Sequence, residues 1–269
     1  MKNVNERKLN WPLKIFACLV FIFLMLPLIV IILASFSPTA LVMFPPKGFS
    51  LEWYHNIFNS QTNFMSGFGD SLLVGIAATA IDVFLGITAA LSVGRYKFKG
   101  RSFLSALFSS PMYVPSITFA FVLLQIGSAV NGISSFVQIL VGHAVIIFPY
   151  IVRNVIATLS GYDWELEDAA ASLGASPIHT FFRVTLPIIQ PGVISGAILA
   201  FLFSFDEAVL SNLLSSPTFV TLPVRIMNYM EFSFDPTLAA ISTILILMSL
   251  AITLTAEKFV GLKIMFKDR

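Results

Sequence analysis

Six runs of roughly 20 apolar residues, each almost free of charge, constrain what this chain can fold into more than any other feature. They extend from Ile15 to Phe36, Ser71 to Gly94, Phe103 to Ala129, Ser135 to Ile151, Pro187 to Leu214 and Leu238 to Ala256. The fourth is interrupted by His143 and Pro149, and a longer reading carries it through Arg153 to Leu159. A hydrocarbon core about 30 Å thick is crossed by about 20 helical residues, so each run is long enough to span a bilayer. A lipid-facing barrel would show alternating segments of about 10 residues instead, and helices satisfy their own backbone groups in lipid.

Composition agrees: 57% of the 269 residues are hydrophobic and only 11% are charged, whereas about 25% charge is usual in a soluble domain. The 27 Phe exclude a disordered chain, and the single cysteine, Cys18, excludes an internal disulfide framework. The net charge of +2 gives no ground for a nucleic-acid partner. The expected fold is an all-α membrane protein of about six transmembrane helices, a single domain over residues 1–269. Its core covers residues 71–256, with a tail and first span over 1–36, an outer loop over 37–70 and a polar inner segment over 163–187.

The placement of charge orients the spans, because Lys and Arg are retained on the cytoplasmic side. Fourteen of the 16 basic residues fall in the N-terminal tail, the loop after span two, the segment between spans four and five, and the C-terminal tail; only Lys47 and Arg225 lie opposite. Both termini are therefore expected in the cytoplasm. The first run is too long for a signal-peptide core and lacks a small-x-small cleavage site, so it reads as a retained helix.

Between spans one and two, Phe44-Pro45-Pro46-Lys47-Gly48-Phe49 reads as a turn. Leu51, Trp53, Tyr54, Ile57 and Phe58 follow at helical spacing, with Trp53 and Tyr54 suited to the headgroup level. The segment between spans four and five carries more information. Asp163 suits a cap of a helix whose first turn is acidic, and Leu166, Ala169, Ala170 and Leu173 form one apolar, small-residue face. Gly174 suits the C-terminal cap, and Ser176-Pro177 suits the start of a second helix. Such a face either packs on its own bundle or enters a partner's groove, and the spacing leaves both open.

At these residues the sequence resembles the permease subunits of binding-protein-dependent ABC importers. Their signature, Glu-Ala-Ala, three residues, Gly, nine residues and Ile-x-Leu-Pro, stands here as Asp168-Ala169-Ala170, Gly174 and Val184-Thr185-Leu186-Pro187. Asp168 replaces the usual Glu, which leaves open whether Glu167 or Asp168 meets the partner. Outside the motif, the residues from Phe44 to Tyr54, Ser204-Phe205-Asp206-Glu207 and Thr221-Leu222-Pro223-Val224-Arg225 resemble the second permease subunit of spermidine/putrescine-type importers.

The resemblance implies a multi-pass subunit of the bacterial inner membrane whose coupling helix sits in the groove of an ATPase subunit. Glu167, Asp168, Ala169, Ala170, Gly174, Leu186 and Pro187 are the implied coupling residues. The implied partners are a second permease, two ATPase subunits and an extracytoplasmic substrate-binding protein. No Gly-x-x-x-x-Gly-Lys-Ser/Thr phosphate loop occurs in the chain, so ATP and Mg are expected in the partner ATPase and no catalytic residue is expected here. A polyamine cargo is implied; an opine, aminophosphonate, iron or sulfate importer is the alternative. An ion-coupled secondary transporter would show inverted repeats and matching broken spans, and neither is evident.

Ionisable residues at membrane depth are costly and point to function. Asp206 and Glu207, late in span five and flanked by Phe203 and Phe205, would offer a polycation both charge pairing and aromatic faces. Asp82, near the middle of span two, lines the pathway or bonds a neighbouring helix. His143 reads as a hydrogen-bonded helix contact, since no ligand at i+4 supports a metal site.

Overall fold

The structure, a computed structural model, describes residues 11–40, 45, 48–59, 61–130 and 132–267, with side chains to residue 258. The expected turn at Phe44, Pro46 and Lys47, and the basic residues Lys2, Arg7, Lys8 and Arg269, lie outside them. Twelve α-helices follow in order: α1 (Trp11–Ala34), α2 (Glu52–Asn56), α3 (Phe64–Arg95), α4 (Arg101–Ser109), α5 (Ser116–Ala129), α6 (Ser135–Leu159), α7 (Glu165–Ser172), α8 (Pro177–Thr180), α9 (Leu186–Asp206), α10 (Val209–Leu214), α11 (Leu222–Phe232) and α12 (Thr237–Lys267). A 3-10 turn, Ser110–Tyr113, follows α4, and a π turn, Phe181–Thr185, joins α8 to α9. Among the described residues, five helical stretches are long and apolar enough to cross a membrane, and six when the α4–α5 pair is counted as one.

Several boundaries differ from the hydropathy reading, each for a local reason. The third run is bent by 94° between Tyr113 and Ser116. Pro115 pushes Val114 out of the helical region, to φ −97° and ψ 126°, and α5 restarts after it. Span four does continue through Arg153 to Leu159. Span five begins ten residues earlier than Pro187, at Pro177, and ends at Asp206 rather than Leu214. Pro187 has no N–H to donate back along the helix, and the wider π turn just before it accommodates the missing bond.

Helical contacts sort into two compact units. In the first, residues 1–62 with 229–247, Trp53 and Tyr54 make internal contacts. Trp53 is buried and its Nε1 donates to the Ser37 carbonyl at 2.6 Å, while the Tyr54 hydroxyl meets Ser35 Oγ at 2.7 Å. Asn56 donates to the Thr237 hydroxyl at 2.9 Å, and Asp235 accepts from the Tyr229 hydroxyl at 2.7 Å.

In the second unit, residues 63–228 with 248–269, α3, α6 and α9 pack on one another. Their shared core holds Ala78, Ala90, Ile147, Ile151, Val155, Ile189 and Ala200. Small residues bring membrane helices close enough for extended van der Waals contact. At Gly192 a Cβ would lie 2.6 Å from the Asn154 carbonyl oxygen, so only glycine permits this approach of α9 to α6.

Candidate functional site

The segment from Asp163 to Thr185 folds as a helix, a sharp turn and a second helix. Asp163 Oδ1 accepts the Glu165 N–H at 3.0 Å at the start of α7, and three acidic residues occupy its first turn. At the other end Gly174 takes φ +87°, the Gly174 N–H donates to Ala171 O at 2.9 Å and the Ala175 N–H donates to Ala170 O at 3.0 Å. This reversal closes the last carbonyls of α7 and turns the chain into α8. Ser176 Oγ accepts the His179 N–H at 3.3 Å, with Pro177 at the first helical position.

The apolar face of α7 is turned outward. Leu166 is 45% exposed and Leu173 90%, and Ile178 and Phe182 beyond the turn are also exposed. The residue of α7 that is buried is instead Glu167, at 6% exposure. Its Oε2 pairs with Arg95 at 2.6 Å, and its Oε1 accepts from the Thr185 hydroxyl at 2.5 Å and the Tyr162 hydroxyl at 3.2 Å. Burial pushes the Tyr162 hydroxyl above its ordinary pKa, so it keeps the proton it donates. Asp168 is exposed. Of the two adjacent acids, then, Glu167 faces inward with three partners and Asp168 faces out. Leu186 and Pro187 form the first turn of α9.

Asp206 and Glu207 stand at a break between α9 and α10. Asp206 is the last residue of α9; Glu207 is extended, with ψ 107°, and its Oε1 accepts the Leu210 N–H at 2.9 Å, capping α10. Glu207 therefore has a local structural use, while Asp206 is exposed and has no hydrogen-bond or ion-pair partner among the described residues. Phe203, 51% exposed, stacks on Tyr150 of α6 with centroids 4.3 Å apart. Phe205 is buried at 6% exposure against Phe68 and Phe201, so it does not share an accessible surface with Asp206. Phe203, exposed and three residues before Asp206 on α9, brings Tyr150 to its side of the helix. Tyr150 carries no local signal in the sequence, because its partner is 53 positions away.

The break is held by His143. Its Nδ1 lies 2.7 Å from Ser204 Oγ on α9 and its Nε2 lies 2.9 Å from Ser211 Oγ on α10, all three residues being buried. A neutral imidazole in either tautomer satisfies both hydroxyls. Asp82 is 1% exposed on α3, and its Oδ2 and the Thr79 Oγ1 have no hydrogen-bond partner among the described residues. It is enclosed by its own chain. Asp82→Asn, which keeps the shape and removes the ionisable proton, is expected to leave the melting temperature of the purified chain unchanged or higher; a drop of several degrees would show that the carboxyl group has a specific partner.

Long apolar helices, a short helix presenting leucines outward between two of them, and a helix that ends at an exposed carboxylate stand together in one chain. Residues 82–260 match the family of binding-protein-dependent transport system inner membrane components, and the chain belongs to that family. It is thus a multi-pass permease subunit of the inner membrane. It is 30% identical over 242 residues to the spermidine/putrescine transport system permease protein PotC of Haemophilus influenzae, covering 90% of this chain and 93% of that one. It is 28% identical to the putrescine transport system permease protein PotI of Escherichia coli K12, covering 91% and 89%. In fold it is similar to a bacterial ABC transporter involved in the import of the acidic polysaccharide alginate, with a TM-score of 0.71 at 15% identity over 91% of this chain and 95% of that one.

Proposed function

We propose that this chain forms half of the translocation pathway of an ATP-driven polyamine importer and couples that pathway to a separate ATPase through α7. It would pair with a second permease and two ATPase subunits, which bind ATP and Mg, and receive cargo from an extracytoplasmic binding protein. The observation that carries the reading is the inverted polarity of α7: Glu167 is buried while Leu166 and Leu173 are exposed. A loop helix packing on its own bundle would bury its leucines. A helix built to enter a groove on another protein leaves them outward and keeps a free acid, here Asp168, beside them.

The distribution of basic residues supports cytoplasmic termini and a position of α7 on the ATPase side of the membrane. ATPase closure would push α7 and open the pathway outward, and hydrolysis would return it. Polyamine cargo is supported by the named activities of the relatives and by Asp206, an exposed carboxylate three residues after Phe203 on α9, whose ring stacks on Tyr150. An anionic cargo such as sulfate would meet Asp206 unfavourably.

Reconstitution of this chain in liposomes with its partner permease, ATPase and binding protein should give spermidine uptake that requires ATP on the ATPase side. Uptake by this chain alone, without ATP, would overturn the reading. Asp206→Asn is expected to reduce spermidine uptake about tenfold, the equivalent of roughly 1.4 kcal/mol, a modest part of the Coulomb energy of a close pair near a protein surface. Unaltered uptake across spermidine concentrations would remove Asp206 from the pathway.

A further inference from the structure

We infer that Glu167 is the transmission point of the docking helix, a positioning residue whose one buried carboxylate carries the displacement of α7 to the adjacent ends of α3, α6 and α9. The inference rests on the reading of α7 as the helix that meets the ATPase. The three partners of Glu167 come from three different spans. Arg95 is the last residue of α3, Tyr162 lies three residues beyond the end of α6, and Thr185 directly precedes α9. These are the spans that pack on one another in the core of this unit.

Helix packing provides this link toward α9 alone. The close packing of α7 is against α8 and the π turn, and a cavity of about 340 Å³, walled by Leu91, Arg95, Glu167 and Asp168 among others, opens beside the ion pair. Toward α3 and α6, side chains bridge where the helices themselves do not pack closely. Arg95 is held in turn, its guanidinium 5.5 Å from the Trp164 ring centroid and 5.6 Å from that of Tyr96. A carboxylate this enclosed is strongly disfavoured if separated from its cation, so α7 and α3 move together or the buried charge is exposed unpaired. The two hydroxyls extend the same constraint to α6 and α9.

The test uses the complete reconstituted importer and reads spermidine transported per ATP hydrolysed. Glu167→Gln keeps the shape and an acceptor for Tyr162 and Thr185 but loses the ion pair. Glu167→Gln and Arg95→Gln are each expected to lower the ratio at least fivefold while hydrolysis continues. The double variant should be no worse than either single one, and Arg95→Lys should recover part of the loss. Arg95, whose side chain is 43% exposed at a helix end, carries the test even where Glu167→Gln reduces the amount of complex. A second measurement is crosslinking of Leu173→Cys to the ATPase in a Cys18→Ser background. Crosslinking together with an unchanged ratio overturns the inference alone; transport and hydrolysis falling in parallel does so too, because that is what a merely structural prop would give. If Leu173→Cys never reaches the ATPase, the docking reading fails, and the inference with it.

Discussion

Replacing Gly174 with valine is expected to cut ATP-driven uptake by more than about tenfold while the chain still inserts and assembles. The reason is conformational. Gly174 has φ +87°, and a Cβ built there meets nothing within 4 Å, so crowding by neighbours contributes nothing. An L-residue held in the left-handed region costs roughly 1–2 kcal/mol, and β-branching adds to that. The chain can relieve the strain by giving up the two reversed hydrogen bonds to Ala170 and Ala171, which fix the angle between α7 and α8. Leu173 would then move relative to Ile178, and the outward face would no longer be a single surface. A graded series separates this from a contact effect. Asn tolerates positive φ and should lose little, Ala should lose an intermediate amount and Val the most. The measurement is uptake together with ATP hydrolysis by the reconstituted complex. Equal losses at all three would locate the effect in direct contact with the ATPase, and full coupling with valine would remove the turn from the mechanism.

Features set by local chemistry were legible in the sequence, and features set by distant contacts were not. The segment around α7 and α8 was readable because Gly174, Ser176 and Pro177 each act on their own backbone, and the structure gives all three the backbone conformations their chemistry suggests. The sequence could not distinguish Glu167 from Asp168. Adjacent residues differ by about 100° around a helix, and the direction is set by Arg95, 72 positions earlier. The same limit applies to Phe203 and Phe205, whose exposure depends on Tyr150 and Phe68 on other helices. The end of span five was misplaced for a different reason. Hydropathy continues through Ala208-Val209-Leu210, while the helix stops because Glu207 caps the next helix and His143 binds both sides of the break. By contrast, the bend before Ser116 was signalled by Pro111 and Pro115 but averaged away in a long apolar run.

Removal of the His143 imidazole is expected to destabilise the chain by about 3–5 kcal/mol, since truncating a large buried side chain and stranding buried hydroxyls each cost a few kcal/mol. The ring is 1% exposed, and truncation to alanine leaves both a cavity and the Ser204 and Ser211 hydroxyls without their partner. What remains at the break is the Glu207 cap and the packing of Leu210 with Val74, Ala120 and Ile139. The melting temperature of the detergent-solubilised chain should fall most for His143→Ala and less for Ser204→Ala or Ser211→Ala, each of which strands one ring nitrogen. His143→Asn, which keeps an amide near the Nδ1 position, should retain the Ser204 bond and fall between. Because α9 ends at Asp206 within this clamp, uptake at permissive temperature should follow the same order as stability. A His143→Ala chain that melts with the wild type would show that the two serines find other partners, and that the break before α10 is set by Glu207 alone.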